Sequence, residues 1–180
     1  MSYQEKSHSL DKRGAREMGN AAEETVVEYF TRKGQKVLQA TKQQDTSEFI
    51  DIFVINKKNE SIPIQCKNRG RTPHDRFCIE TKGTTHGGWL NKSLAHVVIF
   101  VDDKHMHFIN INELRKYVEK NMNMEEDATD NKIKSFNNRI RYKRDGKYGS
   151  HSEMVFVPSE DIESLKSYIK IPVCKGLANG

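Results

Sequence analysis

The sequence predicts an α/β or α+β sandwich built around a mixed sheet. Three observations predict it. A stretch of helical period near the start is followed by two pairs of strand-like apolar runs, each pair joined by a polar turn. A charged interval then gives way to another strand and a last helix. At 180 residues the chain suits one domain with an appendage, divided here into a core at 1–120 and a basic extension at 121–180 packed on the same domain.

The elements follow in order. From Gly14 to Lys33, Met18, Ala22, Val26, Tyr29 and Phe30 recur at helical spacing, and Gly34 is the stop signal. Gln35–Ala40 reads as a short strand. Phe49–Ile55 and Ile62–Lys67 are strand runs separated by Asn56-Lys57-Lys58-Asn59-Glu60, a hairpin signature. Arg76–Lys82 is a further strand, followed by a Gly-rich bend and a short segment at Trp89–Ala95. Val97–Val101 and Met106–Ile111 form a second hairpin through Asp102-Asp103-Lys104. Asn112 is the expected cap of a helix running to about Glu119, with Leu114, Tyr117 and Val118 inward. Met154–Val157 is a strand, and Pro158 and Ser159 introduce a helix over Glu160–Ile169.

Composition bounds the function. Hydrophobic residues make up 35% and charged residues 31%, which leaves much surface for polar work. Lys and Arg outnumber Asp and Glu by 30 to 25, so the distribution of charge matters more than its sum. Residues 131–150 hold Lys132, Lys134, Arg139, Arg141, Lys143, Arg144 and Lys147 against Asp145 alone, a local balance of +6. Such a segment is either a solvated loop or a surface for a polyanion's phosphates; the second reading makes nucleic acid the expected partner. Three cysteines form no CxxC pair and no zinc spacing, and Cys66 and Cys78 read as reduced core residues. No run approaches a membrane span and no apolar leader is evident. The expectation is a soluble, cytoplasmic protein with no membrane partner.

The informative stretch is Ile50-Asp51-Ile52 followed by Ile64-Gln65-Cys66-Lys67. A carboxylate set among Ile50, Ile52, Phe53 and Val54 is costly unless it is used. Gln65 and Lys67 are two apart on a strand, so both side chains leave one face. Strand pairing then gathers a carboxylate, an amide and an ammonium at a sheet edge. Hydrolysis of a phosphodiester needs such a set: oxygen donors for a hard cation (Asp51, the Gln65 amide oxygen and the Cys66 carbonyl), and a cation to stabilise the phosphorane (Lys67). In the first helix Glu23 falls within the apolar arc and points to the protein body, whereas Glu24 and Glu28 fall outside it.

Asp51, a gap of 13 residues and then Gln65-x-Lys67 resembles the PD-(D/E)xK nuclease superfamily. Gly19-Asn20-Ala21-Ala22-Glu23 resembles the helix-borne G-x-x-x-E of its Holliday-junction resolvases, and Gln65-x-Lys67 is similar to the QxK version of Mrr-type restriction endonucleases. The segment from Gly87-Gly88-Trp89-Leu90 through Ala95-His96 to Phe100 resembles phage-encoded members, with His96 where an Asp is usual. The resemblance covers about residues 14–110. It implies a restriction-endonuclease-like core of order α-β-β-β-α-β, a mixed sheet flanked by helices, and a DNA endonuclease using Mg²⁺ or Mn²⁺. It also implies a bacterial, archaeal or phage origin and a possible homodimer. Its catalytic residues fall on Asp51, Gln65, Lys67 and Glu23, and its metal ligands on Asp51, Gln65, Cys66 and Glu23. Gln65 stands where an acid is usual, a lost charge that Glu23, Glu48 or Asp45 can offset.

Arg69, Arg71, Arg76, Arg139, Arg141, Lys143, Arg144 and Lys147 are the candidate nucleic-acid contacts. Glu80, two residues before Lys82 on the next strand, is placed either to reach the metal or to make an edge pair. His105 and His107 read as surface histidines with no third ligand, and Trp89 as a core anchor rather than a base-stacking ring. The alternatives to an enzyme are a nuclease fold that binds nucleic acid or a protein partner without cutting, and a bare Asp51–Lys67 cross-strand ion pair.

Overall fold

The computed structural model describes residues 12–70, 75–82, 88–127, 140–145 and 151–173; of residues 123–152 only the backbone is described. Arg71, Arg139 and Lys147 lie outside the described residues, as do His74, His86 and Cys174. The chain runs α1 (Lys12–Arg32), β1 (Lys36–Gln39), a π-helical turn (Gln44–Glu48), β2 (Ile52–Ile55), β3 (Ser61–Asn68) and β4 (Arg76–Lys82). Then come α2 (Trp89–Lys92), β5 (Val97–Val101), β6 (His105–Asn110), α3 (Ile111–Asn121), β7 (Asn123–Asp127) and β8 (Ile140–Asp145). The last elements are β9 (His151–Pro158), α4 (Ser159–Glu163) and β10 (Ile169–Pro172).

Two sheets result: six strands in the order β1-β2-β3-β5-β6-β10 and four in the order β4-β9-β8-β7. In the larger sheet β3 and β5 are parallel, and every other neighbour is antiparallel. The parallel pair needs a crossover, and here β4 and α2 supply it. β5 lies between β3 and β6, and its unbroken Val-Val-Ile-Phe-Val run matches burial on both faces.

One face of the larger sheet packs on α1, where Ala22 and Val26 meet Ile52, Val54, Ile64, Cys66, Ile99 and Met106. On the other face Val98, Phe100 and Ile109 meet Phe77 and Ile79 of β4 and Val155 and Val157 of β9, closed off by Trp89, Leu114 and Ile162. The protein is therefore a mixed α/β fold with helices flanking a mixed central sheet. Burying each such apolar side chain contributes about 1.5–3 kcal/mol, so the two clusters fix the strand register from both faces.

Local chemistry explains the boundaries. Gly34 adopts φ 71°, the left-handed stop of α1. In the β2–β3 turn Asn56 Oδ1 accepts from the backbone N–H groups of Lys58 and Glu60, and Asn59 takes φ 63°.

Four expectations need correction. The cap of α3 is Asn110, not Asn112: its side chain accepts from the N–H groups of Asn112 and Glu113. The last helix stops at Glu163, because the Glu113 carboxylate accepts from the N–H groups of Lys166 and Ser167, and Ile169–Pro172 instead pairs with β6 as a strand. Strand β2 begins at Ile52 rather than Phe49, since Phe49 turns through φ 52° after the π-helical turn. Met18, expected inward, is 36% exposed. The basic interval holds strand β8, paired with β7 and β9.

Candidate functional site

The edge where β2 ends gathers most of the chemistry expected from sequence. Asp51 N–H donates to the Ile64 carbonyl, and Ala40 N–H donates to the Asp51 carbonyl. The β2–β3 register pairs Ile52 with Ile64, and the Asp51 N–H bond to that same Ile64 carbonyl places Asp51 just outside the last pair, at the end of β2. The Asp51 side chain reaches over β3, where Oδ2 accepts from the Cys66 N–H at 2.6 Å. N–H and C=O of one strand residue leave by the same edge, so the Cys66 carbonyl also faces Asp51 beyond the end of β2.

Glu23 joins from α1, the helix that packs on the Cys66 face. It is half-buried while Glu24 and Glu28 are exposed, as the helix-face reading expected. Burial first, then the Asp51 and Asp45 carboxylates, push the Glu23 carboxyl up to about 7. Asp51 is raised as well, by burial and by Asp45, against the opposing pull of Lys67 and the Cys66 N–H. Three carboxylates thus compete for one small region. Asp45, one of three acids named as possible compensation for Gln65, proves to be close enough to act on both partners.

Gln65 and Lys67 project from the face opposite α1, towards β4. Gln65 is 1% exposed, and its Oε1 is buried without a hydrogen-bond partner. A buried amide oxygen left unpaired costs free energy, and amide and carboxylate oxygens are the donor types that suit a hard cation. Asp51 and Lys67 do not close into an ion pair: Lys67 Nζ lies 5.8 Å over the Trp89 ring. Trp89 is a core anchor, as expected, at 6% exposure. It is held by a close approach of Gly88, where a Cβ would fall 2.2 Å from the Thr81 carbonyl carbon. Glu80 of β4 faces the same ammonium: burial raises its carboxyl and Lys67 lowers it. His96 is exposed and Glu48 partly so.

The proposed phosphate contacts divide. Arg76 is wholly buried, with Glu160 and Asp161 the carboxylates that support its charge. Arg69 stacks its guanidinium 4.2 Å over Phe77, pairs with Asp75 and Asp102, and donates to Ser159 Oγ at 2.6 Å. Both therefore serve the interior rather than a polyanion, a correction whose cause is the packing of β4 and α4 over the end of β3. Arg141, Lys143 and Arg144 are on β8.

The histidines also depart from expectation. His107 is wholly buried, bonded through Nε2 to Asp102 Oδ2 and through Nδ1 to Tyr168 Oη, both at 2.9 Å. Asp102 supplies the third donor that the sequence reading did not find. Its signal was present in the spacing Asp102-x-x-His105-x-His107, where a turn precedes two same-face strand positions.

Comparison of the chain with family models, with curated proteins and with solved structures gives no match. Among the described residues, no helix is long and apolar enough to cross a membrane.

Proposed function

We propose that this chain is a phosphodiester hydrolase working through a hard divalent cation at the end of β2. More particularly, we propose a DNA endonuclease with a restriction-endonuclease-like core, formed by α1, β1, β2, β3, α2 and β5 in the order α-β-β-β-α-β. The observation that carries the reading is the Asp51 carboxylate held on the Cys66 N–H, between Gln65 and Lys67 in sequence, within electrostatic reach of Lys67 and of Glu23 from α1.

Asp51 Oδ1, Gln65 Oε1, the Cys66 carbonyl and Glu23 would hold Mg²⁺ or Mn²⁺. When bound, the ion supplies Lewis-acid polarisation of the phosphate and a more acidic water. The chain's own residues do the rest. Oδ2 of Asp51, tied to the Cys66 N–H, fixes the carboxylate so that its second oxygen is presented. Lys67, supported by the Trp89 ring, offers its ammonium to the charge that develops on the phosphorane and orients the attacking water. Neutral Gln65 removes one charge that most such sites carry, and Glu23 and Asp45 return it. The same neutral residue favours a second reading, a domain that grips nucleic acid without cutting.

The test is cleavage of supercoiled, linear, single-stranded and branched DNA with Mg²⁺ or Mn²⁺, by the native chain and by Asp51→Asn. Cleavage that needs the metal and disappears in Asp51→Asn is the expected result. DNA binding without cleavage by the native chain selects the second reading, and cleavage by Asp51→Asn at the native rate rejects the site.

A further inference from the structure

We propose that Asp102, His105 and His107 form a second metal site, of the imidazole-rich kind that takes Zn²⁺ or its first-row neighbours. One donor atom from each of the three lies within 4.8 Å of the others. His105 Nδ1 is 3.9 Å from Asp102 Oδ1, and His107 Nε2 is 2.9 Å from Asp102 Oδ2. In a tetrahedral zinc site donors stand roughly 3.4 Å apart, given metal–nitrogen bonds of about 2.0–2.1 Å. Closing the group therefore takes small side-chain movements and no change of backbone.

The surroundings are arranged as a ligand set requires. Asp102 is fixed by the turn, its Oδ1 accepting from the N–H groups of Lys104 at 2.8 Å and His105 at 2.7 Å. Tyr168 Oη meets His107 Nδ1 and donates onward to Glu163 Oε1 at 3.3 Å. Nδ1–H is then the donor to Tyr168, and Nε2 is the nitrogen turned to Asp102. That is the outer-shell pattern that orients metal-binding histidines and raises their basicity. The neutral ring carries one proton: with Nε2 on the metal it sits on Nδ1 towards Tyr168, and without the ion it can sit on Nε2 towards Asp102, so metal binding shifts the tautomer with no net loss of a proton. His105, with a side chain 34% exposed, provides both the entry path and a ligand that can move. Two imidazoles and one carboxylate select borderline metals over Mg²⁺.

Arg69 limits the affinity. Its NH1 is 3.1 Å from Asp102 Oδ2, so the carboxylate already shares its charge with a guanidinium. The site is distinct from the one above. Gln65 stands at the level of Val98, and Asp102 is four residues on, about 13 Å of strand.

Equilibrium dialysis of the full chain against Zn²⁺ in excess Mg²⁺, with Co²⁺ absorption and thermal melting beside it, tests the proposal. Expected are one zinc per chain abolished by His105→Asn, four-coordinate Co²⁺ bands, and a melting rise on zinc that the variant lacks. His105 makes no close hydrogen bond through its ring, so this variant folds. Tyr168→Phe, which keeps the histidines and loses the outer shell, weakens zinc about tenfold, and His96→Asn changes nothing. Equal zinc uptake by His105→Asn, or no uptake by the native chain, overturns it.

Discussion

Two polar clusters sit on the larger sheet, one at the end of β2 and on β3, the other at the β5–β6 turn, and they balance their charges in opposite ways. Around Asp102 the buried groups are paired: Arg69 and His107 on the carboxylate, Tyr168 on the histidine, Glu163 on the tyrosine. Those hydrogen bonds hold the Asp102 carboxyl well below the usual carboxylate range despite its burial. Around Asp51 the balance is missing. Asp51 and Asp45 raise Glu23, Asp45 raises Asp51, Gln65 Oε1 has no partner, and Lys67, the cation that opposes them, rests on an aromatic ring. A native structure keeps such a cost where function requires it. The satisfied cluster is closed without an ion; the unsatisfied one needs a cation to be at ease.

The largest effect that separates them is kinetic. Lys67→Ala is expected to slow cleavage by about 10²-fold or more, as removal of a preorganised charge does elsewhere. Single-turnover rates at saturating Mg²⁺ measure this. Arg69→Gln, which breaks the other cluster, is expected to lower the melting temperature while leaving the rate per folded molecule nearly unchanged. Equal rate losses in the two variants would mean that the clusters act as one.

A smaller effect concerns Glu23. Its folded value of about 7 lies above the ordinary 4.5, so the native state prefers the protonated carboxyl. The associated stability is fully present below 4.5, is lost as pH rises through 7, and changes no further above that. In metal-free protein Glu23→Gln should therefore raise the melting temperature at pH above 7 and hardly at pH near 4. With metal present the sign reverses for function: Glu23→Gln should raise the Mg²⁺ needed for half-maximal cleavage several-fold, Gln65→Glu should lower it, and Glu24→Gln should leave it alone. Matching shifts at positions 23 and 24 would sink the helix-face argument.

What the sequence made legible follows from range. Hairpins, the α1 face and the Asp51–Gln65–Lys67 edge depend on contacts between near neighbours in the chain, where periods of 2.0 and 3.6 hold. Placing β4 in a second sheet does not, because its partner β9 begins about seventy residues later. The same long-range packing took Arg69 and Arg76 out of the solvent, although both looked like phosphate contacts beside Lys67. Helix α4 ended early for a similar reason: Glu113 lies far from it in sequence and takes the N–H groups that a longer helix would have used. His107 looked like a surface residue because nothing local announces that Tyr168 and Phe77 cover it.

The smallest effect asks which cations meet DNA once Arg69 and Arg76 are committed to the interior. Phosphate contacts position a duplex without reading it. Arg141, Lys143 and Arg144 lie on β8, in the interval whose local balance is +6. For every phosphate that a cation no longer neutralises, the slope of log affinity against log salt should flatten by about 0.9 for duplex DNA. Neutralising the three residues together should therefore weaken binding about equally for every sequence and flatten the slope by up to about 2.7. The hydrolytic step at saturating DNA should be nearly unaltered, because β8 belongs to the smaller sheet and Asp51 stands at the end of β2 in the larger one. Arg69→Gln should leave the slope as it is, since its guanidinium neutralises Asp75 and Asp102 rather than a phosphate. Binding across a salt series decides the matter: a flattened slope in Arg69→Gln, with none in the triple variant, would return the DNA to the end of β3 and make the β8 cations a solvated face.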